Sequence, residues 1–250
     1  SKTHAELLVE LHGKGLLPQG GQILEIGEAN WYGDCPQEDF IEWPSENEYH
    51  AVKRFYEQLF GTRKLTAIDM GGTDSIKVDL NEFWIGHKGE VRRSTVFEHN
   101  DHEGCPDDQC AYSVVFNHGT AEHIFNIANV FTLMHDACAV GGLMIHEGPF
   151  TGWTDHGFYN LQPTLFWDVA RVNGYEMVKV AIEHLASQSI INVESREQIL
   201  ELRRRDQLPD NAMLWVAMRK TRDAPFVVPI QGVYSGQVST EATEAWKQLR

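Results

Sequence analysis

Apolar runs of four to eight residues recur along the chain, and most of them stop at a glycine or at an ionisable residue. Gln22-Ile-Leu-Glu-Ile26 reads as a buried strand ending at Gly27, and Leu65–Ile68 as a second, ending at Asp69 ahead of Gly71-Gly72. Ser75–Leu80 reads as a short third strand, Tyr112–Phe116 as the fourth and Leu143–Ile145 as the fifth. Tyr175–Ile182 and Met213–Met218 are the last two. Helical periods lie between them. Ser45–Leu59 follows Pro44, with Ser45 as N-cap and Glu48 at the capping-box position. Thr120 opens a helix whose apolar positions Ile124, Ile127, Phe131 and Met134 share one face, and Gly141-Gly142 stops it. Thr164–Val172 follows Pro163 and ends at Asn173-Gly174, and Glu194–Arg205 precedes the last strand. Strands alternating with helices predict an α/β fold, a mostly parallel sheet with helices on both faces. No linker or repeat interrupts the pattern. One domain is expected over 1–250, with a core of about 22–220, an N-terminal helix, and an extended tail from Ala224 packed on it.

The fourth and fifth strands stop at the densest chemistry in the chain. Asn117-His-Gly-Thr-Ala-Glu-His123 follows one and His146-Glu-Gly-Pro149 the other. In an open parallel sheet, ligands bind in the crevice beyond the carboxyl ends of the strands. Five of the 12 histidines (His118, His123, His135, His146 and His156) fall in this region.

The formal net charge of −15 argues against nucleic acid and against anionic membranes as partners. Arg203-Arg-Arg205, the densest basic run, reads as a solvated helix end. No apolar run approaches the roughly 20 residues that cross a bilayer, and the first residues do not read as a signal peptide. Four cysteines in 250 residues do not make a disulfide scaffold, which suggests a reducing, cytoplasmic setting. The insert His99–Cys110 holds soft ligands at irregular spacing among acids, and no metal is expected there. Trp31-Tyr32 reads as core or lid packing, or as a cover for a ligand.

Gly27 after the first strand lets a ligand approach the backbone, and Asp69 at the end of the second is placed for a pair of ribose hydroxyls. The pyrophosphate pattern G-x-G-x-x-G is absent, and Glu28 adds negative charge to the first turn. Such a turn suits a ligand that carries a cation, such as a sulfonium with an α-amino group.

Here the chain resembles the class I S-adenosylmethionine-dependent methyltransferases. Leu24-Glu-Ile-Gly-Glu-Ala-Asn30 is similar to the family's first turn, with Ala29 in place of its second glycine. Glu122-His123 opening a helix and Gly141-Gly142 before the fifth strand are similar to small-molecule members. Gly142–His146 with His156-Gly-Phe-Tyr-Asn160 is similar to proteins of bacterial saccharide and natural-product clusters. The resemblance covers roughly Gln22–Lys220 and implies a Rossmann-like, doubly wound, seven-stranded sheet whose last strand is antiparallel.

The resemblance also implies a cofactor, S-adenosylmethionine, and a set of roles. Glu25 and Gly27 would line its methionine end, Asp69 would hold the ribose, Asp79 and Leu80 would flank the adenine, and Asn117 and His118 would lie beside the sulfonium. His146 and His118 are the candidate bases, since a neutral imidazole suits proton removal near pH 7. Glu147, Trp153, His156 and Tyr159 are the candidate acceptor contacts, with a structural lid as the plain alternative for the 153–160 loop. Glu122-His123 could be catalytic or simply part of a helix's first turn, where acids are favoured. The implied reaction is methyl transfer to a small-molecule acceptor such as a sugar or natural-product intermediate, by a monomer or homo-oligomer. The rival readings are a binding module of the same fold without turnover, and a different reaction that uses the sulfonium ligand.

Overall fold

A computed structural model describes residues 2–29, 49–81 and 111–248. Helix α1 (Lys2–Gly13) leads into β1 (Ile23–Ile26), α2 (Tyr49–Phe60), β2 (Leu65–Ile68) and β3 (Tyr112–His118). A single 3-10 turn, Ala121–His123, precedes α3 (Ile127–Ala137) and the long β4 (Cys138–Thr151). Then come α4 (Pro163–Asn173), β5 (Glu176–His184), β6 (Ser189–Asn192), α5 (Arg196–Arg204), β7 (Ala212–Arg219) and α6 (Thr240–Gln248). The strands form one seven-stranded sheet in the order β2-β1-β3-β4-β7-β5-β6. The first four are parallel, β7 lies antiparallel between β4 and β5, and β6 returns antiparallel on β5. This is the α/β, Rossmann-like sheet expected, with the last strand reversed.

The two-residue alternation of strands assigns each side chain to one of two cores. Ile23, Val114, Phe116, Leu143, Ile145, Trp215 and Ala217 meet Leu7, Leu8 and Leu11 of α1 and Phe55, Leu59 and Phe60 of α2. Leu24, Ile26, Val115, Met144, Ile182, Leu214 and Val216 meet Val130, Phe131 and Met134 of α3 and Phe166 and Val169 of α4. Each such fully buried side chain stabilises the fold by roughly 1.5–3 kcal/mol.

The departures from expectation have local causes. Ser75–Leu80 contributes one bridge, Ile76 to Ile68, rather than a strand; Asp79 takes the Asn81 N–H at 2.8 Å and turns the chain away. The seventh strand is instead β6, the four-residue Ser-Ile-Ile-Asn that folds back on β5. Helix α3 begins six residues after Ala121, because Ala121–His123 closes its own 3-10 turn. It ends at Ala137, ahead of Gly141-Gly142, which lie within β4. The buried Lys220 ammonium donates to the carbonyls of His135 (2.8 Å) and Cys138 (3.0 Å). A cation at a helix C-terminus satisfies carbonyls that have no further turn to bond. The tail is not wholly extended: it closes in α6, where Ser239 Oγ accepts the Ala242 N–H at 3.1 Å as an N-cap. The predicted cap at Ser45 and Glu48, Trp31-Tyr32 and the His99–Cys110 insert lie outside the described residues. Among the described residues, no helix is long and apolar enough to cross a membrane.

Candidate functional site

Strand order reverses at β1, with β2 on one side and β3 on the other, so the carboxyl ends of β1 and β3 flank a topological switch point. Gly27 leaves β1 at φ +85°, and a Cβ there would stand 1.9 Å from Thr120 Oγ1. Its lack of a side chain is therefore required by the turn after β3. Asp69, ending β2, receives three backbone donors: Glu28 N–H at 2.8 Å on Oδ2, and Gly71 N–H at 2.6 Å and Gly72 N–H at 3.1 Å on Oδ1. Glu28 reaches back across the gap, accepting from Thr73 N–H (3.0 Å) and Oγ1 (2.8 Å) and from Asp74 N–H (2.6 Å). Burial, the largest single influence, opposes the Glu28 charge, but the Thr73 and Asp74 donors together outweigh it and hold its carboxyl below the ordinary range. The two acids clamp the loops after β1 and β2 together. A carboxylate has about four lone-pair positions, so Asp69 keeps roughly one beyond these three donors. Asp79 is exposed and occupied by Asn81, while Leu80 is buried and gives its carbonyl to Asn129 Nδ2 at 2.9 Å.

A line of buried polar groups runs along the α1/α2 face of the sheet. Glu25 is fully buried, with Oε2 at 3.4 Å from Ala29 N–H and Oε1 without a partner. Burial pushes its carboxyl up to about 8, and hydrogen bonds from Ala29 and Tyr56 offset only part of that. The Tyr56 hydroxyl lies 3.0 Å from His118 Nε2. His118 Nδ1 faces Glu147 Oε2 at 3.5 Å, and His4 Nδ1 of α1 faces the same oxygen at 3.6 Å. Trp215 Nε1 donates to His4 Nδ1 at 2.9 Å and ends the line. Burial lowers the pKa of His118 although the Glu147 carboxylate pulls it up. Burial and then the His118 charge lower His4 further. Both rings are neutral near pH 7.

The opposite face holds the neighbouring residues of the same strands. Asn117 Oδ1 accepts the Ala121 N–H at 2.9 Å, and its Nδ2 is buried without a partner. His146, paired with Asn117 in the β3–β4 register, is 1% exposed. Its ring stacks on Phe131 at 4.9 Å and meets Phe166 edge-on at 5.0 Å, with Nδ1 unpartnered. Burial, with the His118 charge adding, lowers its pKa to about 3. The ring faces α3 and α4 and is enclosed by them, so its expected place as a base in the crevice is not met.

At the mouth of the crevice the loop after β4 crosses the 3-10 turn. Phe158 N–H donates to Glu122 O at 2.8 Å, and the Tyr159 hydroxyl to Phe125 O at 2.7 Å. Trp153 Nε1 donates to Ala212 O at 3.0 Å, and its ring lies 4.6 Å from that of His156. Trp153 and Asp155 both sit at positive φ, +56° and +61°, a strained backbone that concentrates at ligand clamps and switch regions. Glu122 is buried, burial with Glu147 nearby pushes its carboxyl up to about 7, and its Oε2 has no partner. Phe125 and Phe158 are exposed and pack edge to face at 5.8 Å.

Of the residues singled out in the sequence, His118 and Glu147 come together, as do His156 and Trp153, while Tyr159 turns its hydroxyl to Phe125 O. His146 stands apart on the other face. Glu122, singled out with His123, joins the second group, while His4 and Tyr56 complete the first but carried no site signal, since helical polar residues read as surface.

No protein-family model matches the chain, and no curated protein matches it. Several solved structures resemble it at low identity. A S-adenosylmethionine-dependent methyltransferase from Archaeoglobus fulgidus is 13% identical, over 86% of this chain and 94% of the other, with a TM-score of 0.45. One from Mesorhizobium loti is 12% identical, over 82% and 94%, with a TM-score of 0.43. Phosphoethanolamine N-methyltransferase 2 from Haemonchus contortus, solved with S-adenosyl-L-methionine, is 12% identical, over 88% and 52%, with a TM-score of 0.44.

Proposed function

We propose that the chain binds S-adenosylmethionine at the switch point beside β1 and transfers its methyl group to a small-molecule acceptor, of the sugar or natural-product intermediate class. The observation that carries this reading is Glu25: a buried carboxyl at the end of β1, one oxygen unpartnered, next to the turn made by Gly27. An uncompensated buried oxygen costs about 1–3 kcal/mol, and a cationic amino group is the partner that recovers it. Asn117 Nδ2, unpartnered at the end of β3, offers a donor on the other side of the switch. Asp69 keeps one acceptor position for a ribose hydroxyl.

The cofactor would supply an already activated methyl on its sulfonium, so the chain's own work is alignment, exclusion of water and removal of a proton. His118 is the fitting base. It is neutral near pH 7: its Nδ1–H faces the Glu147 carboxylate and its Nε2 accepts from the Tyr56 hydroxyl, so Nε2 is the basic nitrogen. His156 and Tyr159 would contact the acceptor, and the Phe125–Phe158 pair gives it an apolar wall.

Calorimetry with S-adenosylmethionine tests the reading. Binding is expected to release a proton from Glu25, seen as a dependence of the heat on the buffer's ionisation enthalpy. Glu25→Gln should weaken binding ten- to a hundredfold, about 1.5–3 kcal/mol for a lost charged hydrogen bond. Absence of binding by the parent chain would rule the reading out. A Glu25→Gln chain that binds as tightly as the parent would move the cofactor elsewhere.

Asp69 gives a second test. Asp69→Ala removes the acceptor of three backbone donors, so it should lower stability by about 1–3 kcal/mol as well as weaken binding. Asp69→Asn keeps one acceptor oxygen and should recover part of the melting temperature without recovering affinity. Equal affinity for Asp69→Asn and the parent chain would remove Asp69 from the cofactor site.

A further inference from the structure

Two clusters in the described residues combine two histidines with one carboxylate: His4, His118 and Glu147, and Glu122, His123 and His156. They differ in what their ligand atoms already do. In the first, His4 Nδ1 holds the Trp215 N–H and His118 Nε2 holds the Tyr56 hydroxyl, so the cluster is internally bonded. In the second, Glu122 is buried with Oε2 unpartnered, while both imidazoles are exposed.

The geometry points to Glu122, His123 and His156 as a binding site for a divalent transition-metal ion of the zinc class, open to the crevice. One ligand atom from each residue lies within 4.8 Å of the other two, and His156 Nε2 is 3.9 Å from Glu122 Oε1. That separation is too long for a hydrogen bond. Two ligands about 2.1 Å from a shared zinc stand roughly 3.4 Å apart, so a small rotation of an exposed ring closes the set. Two imidazoles and a carboxylate form the ligand set of an open zinc site, with remaining positions free for water or an oxygen of an acceptor.

The ligands are held from two loops that the backbone ties together. Phe158 N–H bonds Glu122 O at 2.8 Å, and His156 N–H bonds Trp153 O at 3.2 Å. A Cβ at Gly157 would come within 3.0 Å of Glu122 O and 3.2 Å of His123 Nδ1, so this glycine permits the close crossing. The strained Trp153 and Asp155 backbones set the loop that carries His156, and the Trp153–Ala212 bond anchors it. Two residues beyond His123 and His156 in their loops, the exposed Phe125 and Phe158 rings pack on one another, a surface on which a largely apolar molecule with one liganding oxygen would rest.

Titration of chelator-treated protein with zinc by calorimetry, and with cobalt(II) by visible absorption, tests the site without any cofactor or acceptor. One ion per chain is expected, with His156→Ala and His123→Ala each weakening binding about tenfold or more. Both positions are exposed, so these chains should fold, which their melting curves check. Glu122→Gln should have the same effect, and His12→Ala, at the end of α1, should have none. No zinc binding at 100-fold excess of metal over protein overturns the proposal. So does a bound ion whose affinity is unchanged in His123→Ala and His156→Ala, which would assign it to other ligands such as those of the His99–Cys110 insert.

Discussion

Gly27→Ala should destabilise the protein by on the order of 3 kcal/mol, before any effect on a ligand. Two contributions add. A β-carbon at φ +85° meets the following carbonyl, at about 1–2 kcal/mol. It would also stand 1.9 Å from Thr120 Oγ1, 3.1 Å from Thr120 Cβ and 3.4 Å from Cγ2, an overlap that requires Thr120 to move. Overpacking of that kind costs typically 1–3 kcal/mol. Since Thr120 belongs to the turn that starts the 3-10 segment, its displacement would also disturb Ala121 and its bond to Asn117. The double variant Gly27→Ala/Thr120→Ala removes the oxygen and the methyl, and should recover about half of the loss, leaving the backbone strain. Urea unfolding of the four chains measures this. An alanine variant as stable as the parent, or a double variant no better than the single one, would show that the turn after β1 is free to rearrange.

The second large effect is a pH dependence carried by His146. Its pKa falls from 6.5 in the unfolded chain to about 3 in the fold, chiefly by burial. Between these values the unfolded chain binds a proton that the folded chain does not, so stability falls as pH is lowered. The stability is fully present above pH 6.5 and is lost progressively toward pH 3, at about 1.4 kcal/mol per pH unit. His146→Leu abolishes the difference, with a side chain of similar volume between Phe131 and Phe166. At pH 7 the variant should be as stable as the parent or slightly more so, because an unpartnered buried nitrogen is gone. At pH 5 its advantage should grow by about 2 kcal/mol. The readout is this difference between two chains, since Glu25, with its raised carboxyl, and the other lowered histidines act equally on both. A difference that stays constant between pH 7 and pH 5 would mean that the ring is hydrated.

The contrast between His146 and Glu147 shows how far the sequence carries. The position of both just after an apolar run was legible, and so was their nearness to the crevice. Which face each would take was not, because it depends on register parity and on where the strands end. Strand β3 runs to His118 and β4 to Thr151, past the apolar residues that announced them. His146 is thereby drawn into the sheet and turned toward α3 and α4, while Glu147 meets His118 under α1. The alternation of strands and helices and the stop at Asn173-Gly174 were readable because short-range chemistry sets them, while the reversed last strand came only from the family resemblance. The Lys220 cap that shortens α3 was not, since it joins residues 82 and 85 positions apart. Nor was the lattice of Glu28 and Asp69, in which two acids that suggest ligand contacts spend most of their acceptors on the loops themselves.

The bond between Trp215 and His4 spans 211 residues, and this has a consequence for how the chain is made. Synthesis proceeds at about 5–20 residues per second, so roughly 10–40 seconds separate the two partners at the ribosome. Through that interval the apolar face of α1 can dock on β1, but its resting place beside β7 does not yet exist. Leu7, Leu8 and Leu11 must wait partly uncovered, and non-local closure of this kind is slow once its last strand arrives. Helix α1 therefore completes its burial only once β7 arrives, and a partner that covers its apolar face until then is displaced by that strand.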